Sequence, residues 1–262
     1  MNGFKKTRSK ERGQGSGAGK KKKNQTGSDS SLLEIYGRLY DHFGPQHWWP
    51  AESPFEVIIG AVLTQNTSWK NVEKALVPLR QRNLLIPEAI DRIPERDLAS
   101  LIRPSGFYNL KARRLKALTD FVFQRYGGSL DRMFSGEKEA LRSQLLRING
   151  IGPETADSIL LYAGNLPVFV VDAYTRRILT RHRLMRETDT YEAIQGLFLR
   201  SLPNRPQIFN EYHALIVKTA KTYCKTEANC NDCPLGVRIG FFLTIDEKML
   251  AFNTARRSTG RQ

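Results

Sequence analysis

Residues 145–172 of the chain read LLRINGIGPETADSILLYAGNLPVFVVD, and this stretch decides the fold. Gly150-Ile151-Gly152 makes a tight turn between two amphipathic helical patterns, and an apolar run over residues 168–171 ends in Asp172. Glycine permits positive φ and a close backbone approach, and such a turn directs backbone N–H groups at the mouth of a helix toward an anion. The pattern predicts a phosphate-binding turn; a turn that touches no nucleic acid is the alternative interpretation.

Asp172 follows Gly152 by twenty residues and directly precedes AYTRRI, a stretch typical of a helix start. Its carboxylate could cap that helix by accepting from the free N–H groups of the first turn. A buried carboxylate can also stabilise positive charge that develops in a transition state. One aspartate could serve both purposes, so the two interpretations stay open side by side.

The charge of the chain is strongly positive and unevenly placed. The 262 residues carry a formal charge of +15, of which residues 1–28 hold +8 from nine Lys or Arg against Glu11. That tail has no apolar periodicity, so we expect it to be disordered and to act either as a nuclear address or as a DNA-tethering arm. The remaining +7 of the body favours a polyanionic partner, with simple solubilisation as the alternative.

The sequence offers no sign of a membrane or secretory setting. No run approaches the ~20 apolar residues that a membrane span requires, and the first residues lack the apolar core of a signal peptide. Three cysteines in a basic chain favour a reducing compartment over a disulfide framework. We therefore expect an intracellular protein without membrane association.

Helical periodicity dominates the rest of the chain, with few alternating patterns and no internal repeat. The fold class we predict is all-α. The expected helices cover residues 31–43, 54–65, 71–81, 88–92, 95–102, 110–125, 135–147, 153–163, 173–181, 190–201 and 207–223.

Several segments together resemble a known family. They are WWP at 48–50, GAVLTQNT at 60–67, RPSGFYN at 103–109, the hairpin GIG at 150–152, and VVDAY at 170–174. Over residues 32–235 the chain resembles the helix–hairpin–helix DNA glycosylases of the endonuclease III superfamily, most closely their 3-methyladenine branch. The resemblance implies two lobes around a central cleft, a helical barrel at 51–165 and a second lobe that joins 29–50 to 166–262.

The resemblance makes Asp172 the catalytic residue, and it also reveals a departure from the family. Glu154 stands where members with lyase activity carry a lysine. A carboxylate cannot form a Schiff base, so we expect no cleavage of abasic sites. Glu154 is either a pocket acid facing the flipped base or a surface glutamate that complements the helix dipole.

The base pocket and the DNA contacts also follow from the resemblance. Trp48 and Trp49, with Glu154, would hold the extruded base, although core packing is an alternative for both tryptophans. Gln65 occupies the position that fills the space left by the flipped nucleotide, and Phe107 the position of the wedge; a buried or capping role remains open for each. The hairpin residues Gly150, Ile151 and Gly152 would grip the backbone. The predicted phosphate contacts, or else a solvated helix face, are Lys111, Arg113, Arg114 and Lys116.

The cysteines form the second departure. Cys224, Cys230 and Cys233 nearly reproduce three ligands of the family's iron–sulfur loop, but the fourth ligand would fall near Ile239 and no other cysteine exists. A [4Fe–4S] cube normally takes four thiolates, so we expect no cluster and no required cofactor. A zinc site completed by His213 lacks a supporting spacing, and a loop of reduced thiols is favoured. A monovalent cation at the hairpin carbonyls is compatible with the family pattern.

The sequence therefore predicts a monofunctional DNA N-glycosylase that removes alkylated purines, 3-methyladenine above all, in base excision repair. Its partners would be double-stranded DNA and a downstream abasic-site endonuclease, and we expect a monomer. Two alternatives remain: a glycosylase for a mismatched or oxidised base on the same scaffold, and a non-catalytic module that binds DNA lesions.

Overall fold

The structure, a computed structural model, describes residues 25–236, and the side chains from residue 31 onward. Twelve α-helices occupy these residues, with one 3-10 turn at Arg103–Ser105 and one π-helical turn at Ile159–Ala163. The helices are α1 Gln25–Phe43, α2 Pro54–Leu63, α3 Trp69–Gln81, α4 Pro87–Arg92, α5 Glu95–Leu101, α6 Tyr108–Tyr126, α7 Leu130–Phe134, α8 Lys138–Leu145, α9 Pro153–Ser158, α10 Ala173–Arg181, α11 Tyr191–Ser201 and α12 Pro206–Thr222.

The predicted all-α class is confirmed. Residues 25–236 contain no β-strand, and their single β-bridge joins Cys224 to Ala228. In that same part of the chain, no helix combines the length and the apolar composition that crossing a bilayer requires. The predicted disordered tail lies outside the described residues except for its last four, which belong to α1.

The central helix is α2, and its sequence explains its position. From Phe55 to Leu63 every residue is buried, Glu56 included, because apolar side chains cover all sides of the helix. Ser53 caps its first turn by accepting a hydrogen bond from the backbone N–H of Glu56. α2 contacts α3, α6, α9 and the π turn, so it fixes where the hairpin helix stands.

The two ends of the described chain meet. α1 packs against α11 and α12, and Tyr212 of α12 donates its hydroxyl hydrogen to the carbonyl of Leu32. One continuous apolar core joins these helices to α2 and the hairpin helices. These contacts agree with the predicted return of the N-terminal segment to the C-terminal helices, while the division into two lobes stays a prediction.

Two predicted helices differ from the structure. The helix expected at residues 135–147 is shorter, since α8 begins after its cap Glu137 and ends at Leu145, and the short helix α7 before it was not predicted. Residues 153–163 begin as α9 and continue as a π turn, a local widening often found at functional sites. Hydrophobic periodicity does not separate an α turn from a π turn, which is why the sequence missed it.

Candidate active site

The hairpin between α8 and α9 requires glycine at Gly150. Its φ is +84°, and a Cβ there would lie 2.7 Å from Cδ of Arg114 and overlap the guanidinium. Gly152, by contrast, has extended backbone and open space around it. Ile151 between them is buried and anchors the turn in the core. The turn is therefore held rigidly while its glycine backbone stays accessible.

Gln65 is tied to this hairpin. Its side-chain amide donates to the carbonyl of Gly150 at 3.1 Å and to Oγ1 of Thr155 at 2.8 Å. Arg114 donates to the side-chain oxygen of Gln65. The predicted gap-filling residue and one predicted phosphate contact thus lie together at the hairpin, and the Gly150 carbonyl already accepts a hydrogen bond at the predicted cation site.

Phe107, the predicted wedge, lies on the surface. It follows Gly106 at the N-cap of α6 in a left-handed conformation, and it is 68% exposed. An apolar ring so exposed has no packing role in the free protein. Its position is compatible with insertion into DNA, which stays a prediction.

The prediction for Lys111 as a phosphate contact is wrong. Lys111 is only 1% exposed, and its ammonium donates to the carbonyls of Leu63 at 2.8 Å and Ser105 at 2.6 Å. Burial, with a smaller contribution from Arg114, lowers the pKa of Lys111 to about 8. The reason for the error is that residue 111 faces inward on α6, which a charged residue does only when polar partners receive it.

The neighbouring cations on α6 differ in exposure. Arg113 is exposed and free to meet a phosphate, so its predicted role stands as a prediction. Lys116 reaches the carbonyl of Asp91 at 2.6 Å and helps hold α4 to α6.

A cleft of about 350 Å³ brings together the predicted catalytic and base-binding residues. Asp172, Glu154, Trp48 and Trp49 all line it. Sequence reasoning missed several further lining residues: Trp69, Tyr174, His213 and Lys221.

The three tryptophans form one aromatic cluster. Trp49 lies edge-on to Trp69 at 5.0 Å between ring centroids, and Trp48 lies 5.7 Å from Trp49. The Trp49 ring also covers Gly60, where a Cβ would come within 3.1 Å of it. The glycine in the GAVL segment therefore makes room for the ring. Aromatic walls of this kind suit a flat base.

Asp172 is both cap and cleft residue. It begins α10, where Oδ1 accepts from the backbone N–H of Thr175 at 2.7 Å, and its side chain is 12% exposed. Burial acts to raise the pKa of Asp172, but the facing His213 and the Thr175 N–H outweigh it, so the pKa is lowered. The capping interpretation is therefore confirmed, and the lowered pKa keeps the carboxylate ionised at neutral pH. The catalytic role of Asp172 stays a prediction.

His213 and Tyr162 complete the surroundings of Asp172. Nε2 of His213, on α12, lies 3.5 Å from Oδ2 of Asp172, and its Nδ1 lies 2.6 Å from the hydroxyl of Tyr162 in the π turn. Burial, together with the Asp172 and Glu154 carboxylates, raises the pKa of Tyr162 well above its ordinary value. No local pattern marks either residue, since each lies within an apolar helical stretch and only the packing of α12 on the π turn brings them together.

Glu154 lies in the first turn of α9, exposed at the rim of the cleft. Desolvation in the cleft and the nearby Asp172 carboxylate raise its pKa, while His213 acts in the opposite direction. The cleft thus holds two carboxylates. The amine that lines it among the described residues is Lys221, whose Nζ lies 5.9 Å from the centroid of the Tyr174 ring.

A buried ion pair supports the hairpin from behind. Arg142 of α8 donates twice to Asp157 of α9, at 2.6 and 3.0 Å. Gln195 of α11 donates to the same carboxylate at 2.8 Å and to the carbonyl of Phe169 at 2.7 Å. This network connects the hairpin to the apolar run that leads to Asp172, so the two walls of the cleft have a defined separation.

The cysteine loop does not fit the family's iron–sulfur cluster. Three thiols cannot supply four thiolate ligands, and Cys224 accepts a hydrogen bond from Arg181 at 3.1 Å. Within residues 25–236, no three His, Cys, Asp or Glu side chains are grouped to hold a metal ion. His213 does not complete a zinc site, because it faces Asp172. The position of Ile239 lies outside the described residues.

Comparisons with known proteins give the family of the chain. Residues 59–204 match the family described as HhH-GPD superfamily base excision DNA repair protein. An inferred DNA repair glycosylase of Methanocaldococcus jannaschii is 48% identical over 206 residues, covering 78% of this chain and 93% of that protein. Endonuclease III of Thermotoga maritima is 27% identical over 190 residues, covering 72% of this chain and 84% of that protein.

Solved structures show the same fold. The crystal structure of the H. pylori 3-methyladenine DNA glycosylase, bound to 1,N6-ethenoadenine, has a TM-score of 0.64 at 31% identity and covers 74% of this chain and 97% of that chain. An endonuclease III trapped as a covalent intermediate with DNA has a TM-score of 0.68 at 22% identity, with 79% and 93% covered, and supports the fold alone.

An all-α fold with a Gly-x-Gly hairpin, and a cleft with an aromatic wall and a capping aspartate, define a DNA glycosylase of base excision repair. The chain belongs to the HhH-GPD superfamily of base excision DNA repair proteins. The resemblance to helix–hairpin–helix glycosylases is thereby confirmed.

Proposed function

We propose that this glycosylase is monofunctional and removes alkylated purines, 3-methyladenine in particular, from double-stranded DNA. The observation that carries the proposal is the composition of the cleft, where a tryptophan cluster stands beside two carboxylates. An alkylated purine is flat and carries positive charge. Aromatic faces attract such a cation, and anionic side chains favour it over a neutral base.

The proposed chemistry needs little from the protein beyond Asp172. As the C1′–N bond breaks, the bonding electron pair goes to the base, and the sugar acquires oxocarbenium character. The ionised carboxylate of Asp172 stabilises that charge, and a water molecule then attacks C1′ and passes its proton to that carboxylate, which returns it to solvent. Because a cationic base departs as a neutral molecule, it requires no general acid.

Glu154 supports the absence of lyase activity. It occupies the first turn of α9 beside Asp172. By the family resemblance, this is the position from which a lysine attacks the sugar in members with lyase activity. Lys221 is the amine that could contradict this, since it lines the same cleft. The H. pylori relative with the 3-methyladenine name supports the substrate class by similarity.

A single-turnover assay on methylated duplex DNA tests the proposal. We expect release of 3-methyladenine, and strand breaks only after the sample is treated with alkali. Strand breaks without alkali would overturn the monofunctional assignment. A protein–DNA complex that borohydride reduction traps in the wild type but not in Lys221→Ala would identify Lys221 as the lyase nucleophile. Duplexes of the same length and sequence that carry a mismatched or oxidised base are the comparison. Release of such a base, without release of methylated bases, would overturn the proposed substrate class.

The remaining roles are part of the same proposal. Gln65 and Phe107 would leave their free-state positions to enter the duplex, and the hairpin with Arg113 and Arg114 would hold the phosphates. The enzyme would act as a monomer and leave an abasic site for a separate endonuclease.

A further inference from the structure

His213 is a buried histidine whose two ring nitrogens face different partners. The residue is 5% exposed and lies on α12. Nδ1 lies 2.6 Å from the Tyr162 hydroxyl, and Nε2 lies 3.5 Å from Oδ2 of Asp172. Within the described part of the chain, Nε2 has no hydrogen-bond partner, although it is fully shielded from solvent. A buried ring nitrogen without a partner, directed at a catalytic carboxylate, calls for an explanation.

The geometry selects one arrangement of protons. If Nδ1 carried the hydrogen of a neutral ring, the lone pair of Nε2 would face the negative carboxylate, which is repulsive. If the Tyr162 hydroxyl donates to Nδ1, the hydrogen of a neutral ring stands on Nε2, the nitrogen that lies 3.5 Å from Oδ2 of Asp172. Tyr162 keeps its proton at any pH of interest, because burial and the nearby carboxylates raise its pKa well above the ordinary value.

We propose that Tyr162 and His213 form a positioning relay, in which the tyrosine sets the tautomer of the histidine and the histidine holds Oδ2 of Asp172. The N–H of Thr175 holds the other oxygen, so both carboxylate oxygens face defined donors. The inference rests on the proposed function for the role of Asp172. The relay also gives the π turn a role, because this turn carries Tyr162 and packs against α12, the helix of His213.

The titratable groups that face Asp172 from the neighbouring elements are Glu154 on α9, Tyr162 on the π turn, and His213 and Lys221 on α12. Burial is the largest influence on the Asp172 carboxyl, and it favours the neutral acid. His213 is the largest influence that lowers the pKa of Asp172, through its charge when the ring is protonated and through its N–H in either state. Without His213, the carboxyl would take up a proton at a higher pH and lose its effect on the sugar.

The first test is the pH dependence of single-turnover release of 3-methyladenine from methylated duplex DNA. A cationic base needs no protonation, so the acid limb reports Asp172. We expect His213→Gln and Tyr162→Phe each to move that limb upward by about one pH unit. Affinity for a duplex with a tetrahydrofuran abasic analogue should stay within twofold of wild type. An unchanged acid limb in both variants would overturn the relay.

A second histidine–tyrosine pair supplies the matched control. Nε2 of His42 lies 3.1 Å from the hydroxyl of Tyr223, outside the cleft. His42→Gln and Tyr223→Phe remove the same chemical groups. We expect both to leave the acid limb in place, and a shift as large as that of His213→Gln would show that the effect is not specific to Asp172.

A measurement without substrate separates the relay from the proposed function. Histidine labelled with ¹⁵N gives two-bond ¹H–¹⁵N spectra in which the tautomer is read directly, and His213→Gln assigns the signal among the four histidines. We expect His213 to be the Nε2–H tautomer in the wild type and to lose its preference for that tautomer in Tyr162→Phe. An Nδ1–H tautomer in the wild type would overturn the relay. Inactivity on methylated DNA with the Nε2–H tautomer present would reject the proposed substrate while supporting the relay.

Discussion

Among single residues, Asp172 has the best-defined surroundings, and its capping role makes a clean variant available. Asparagine caps a helix about as well as aspartate, so Asp172→Asn should keep the N–H of Thr175 satisfied and the fold intact. It removes the negative charge that stabilises the sugar. We expect release of methylated bases to fall by about 10²–10³-fold in single-turnover assays.

The control for that variant is DNA binding. Affinity for a duplex with an abasic analogue should remain within a few-fold of wild type, because the phosphate contacts are elsewhere. Near wild-type base release by Asp172→Asn would remove Asp172 from the chemistry. An unchanged DNA affinity together with no base release in either protein would favour the binding-module alternative.

Gly150 allows a prediction that depends on backbone conformation and packing together. In Gly150→Ala the new Cβ would sit at φ +84° and overlap Arg114, which must then leave its bond to Gln65. We expect a loss of about 1–3 kcal/mol in the free energy of unfolding and weaker DNA binding. Gly152→Ala is the matched control, since Gly152 has extended φ and open space. Equal effects of the two substitutions, measured by chemical denaturation, would contradict the argument.

At the scale of elements, Lys111 connects two loops that the sequence treated separately. Leu63 ends α2 two residues before Gln65, and Ser105 stands two residues before Phe107. The ammonium holds both carbonyls, so the gap-filling loop and the wedge loop share one anchor. In Lys111→Met the carbonyls lose a buried donor, which we expect to cost about 2–4 kcal/mol of unfolding free energy. Lys116→Met, which removes a bond at the exposed face of the same helix, should cost much less.

The same lysine predicts a dependence on pH. Its pKa is about 8 in the folded protein, below the ordinary value of 10.5 in the unfolded chain. Between these values the unfolded state binds more protons, so the contribution of Lys111 to stability rises with pH from about 8 to 10.5. Urea denaturation at pH 7 and pH 9.5 should therefore show a wider gap between wild type and Lys111→Met at the higher pH. A gap that narrows would mean that folding raises the pKa of Lys111, so that its two hydrogen bonds to carbonyls outweigh the desolvation of the ammonium.

The elements also show what a sequence can and cannot predict. The hairpin and the cap at Asp172 were predictable, because glycine and aspartate have local conformational roles that sequence patterns record. The approach of His213 and Tyr162 to Asp172 was not, since it depends on how α12 packs on the π turn. The prediction for Lys111 was wrong for the same reason. A charged residue in a sequence is expected at the surface, and only tertiary packing shows that two buried carbonyls accept hydrogen bonds from this ammonium.

At the scale of the whole molecule, the net positive charge is divided between residues 1–24 and the remainder of the chain, and the two parts should contribute differently. Residues 1–24 contain nine Lys or Arg and one Glu, a charge of +8, while the cleft lies wholly within residues 48–221. Non-specific affinity arises from counterion release, and each phosphate contact adds about 0.9 to the slope of log K against log salt. Base release in the bound complex depends on Asp172 and its neighbours instead.

Deletion of residues 1–24 should therefore separate binding from chemistry. We expect weaker affinity for undamaged duplex DNA and a salt slope that is shallower by several units, which fluorescence anisotropy at increasing salt would measure. The single-turnover rate at saturating enzyme should not change, because no group in the cleft is removed. The control is a full-length chain in which Gln replaces the nine Lys and Arg of this segment. It separates the effect of the positive charge from the effect of the segment's length. If the truncated protein and the protein with Gln substitutions keep the full salt slope, the phosphate contacts are made by residues outside 1–24.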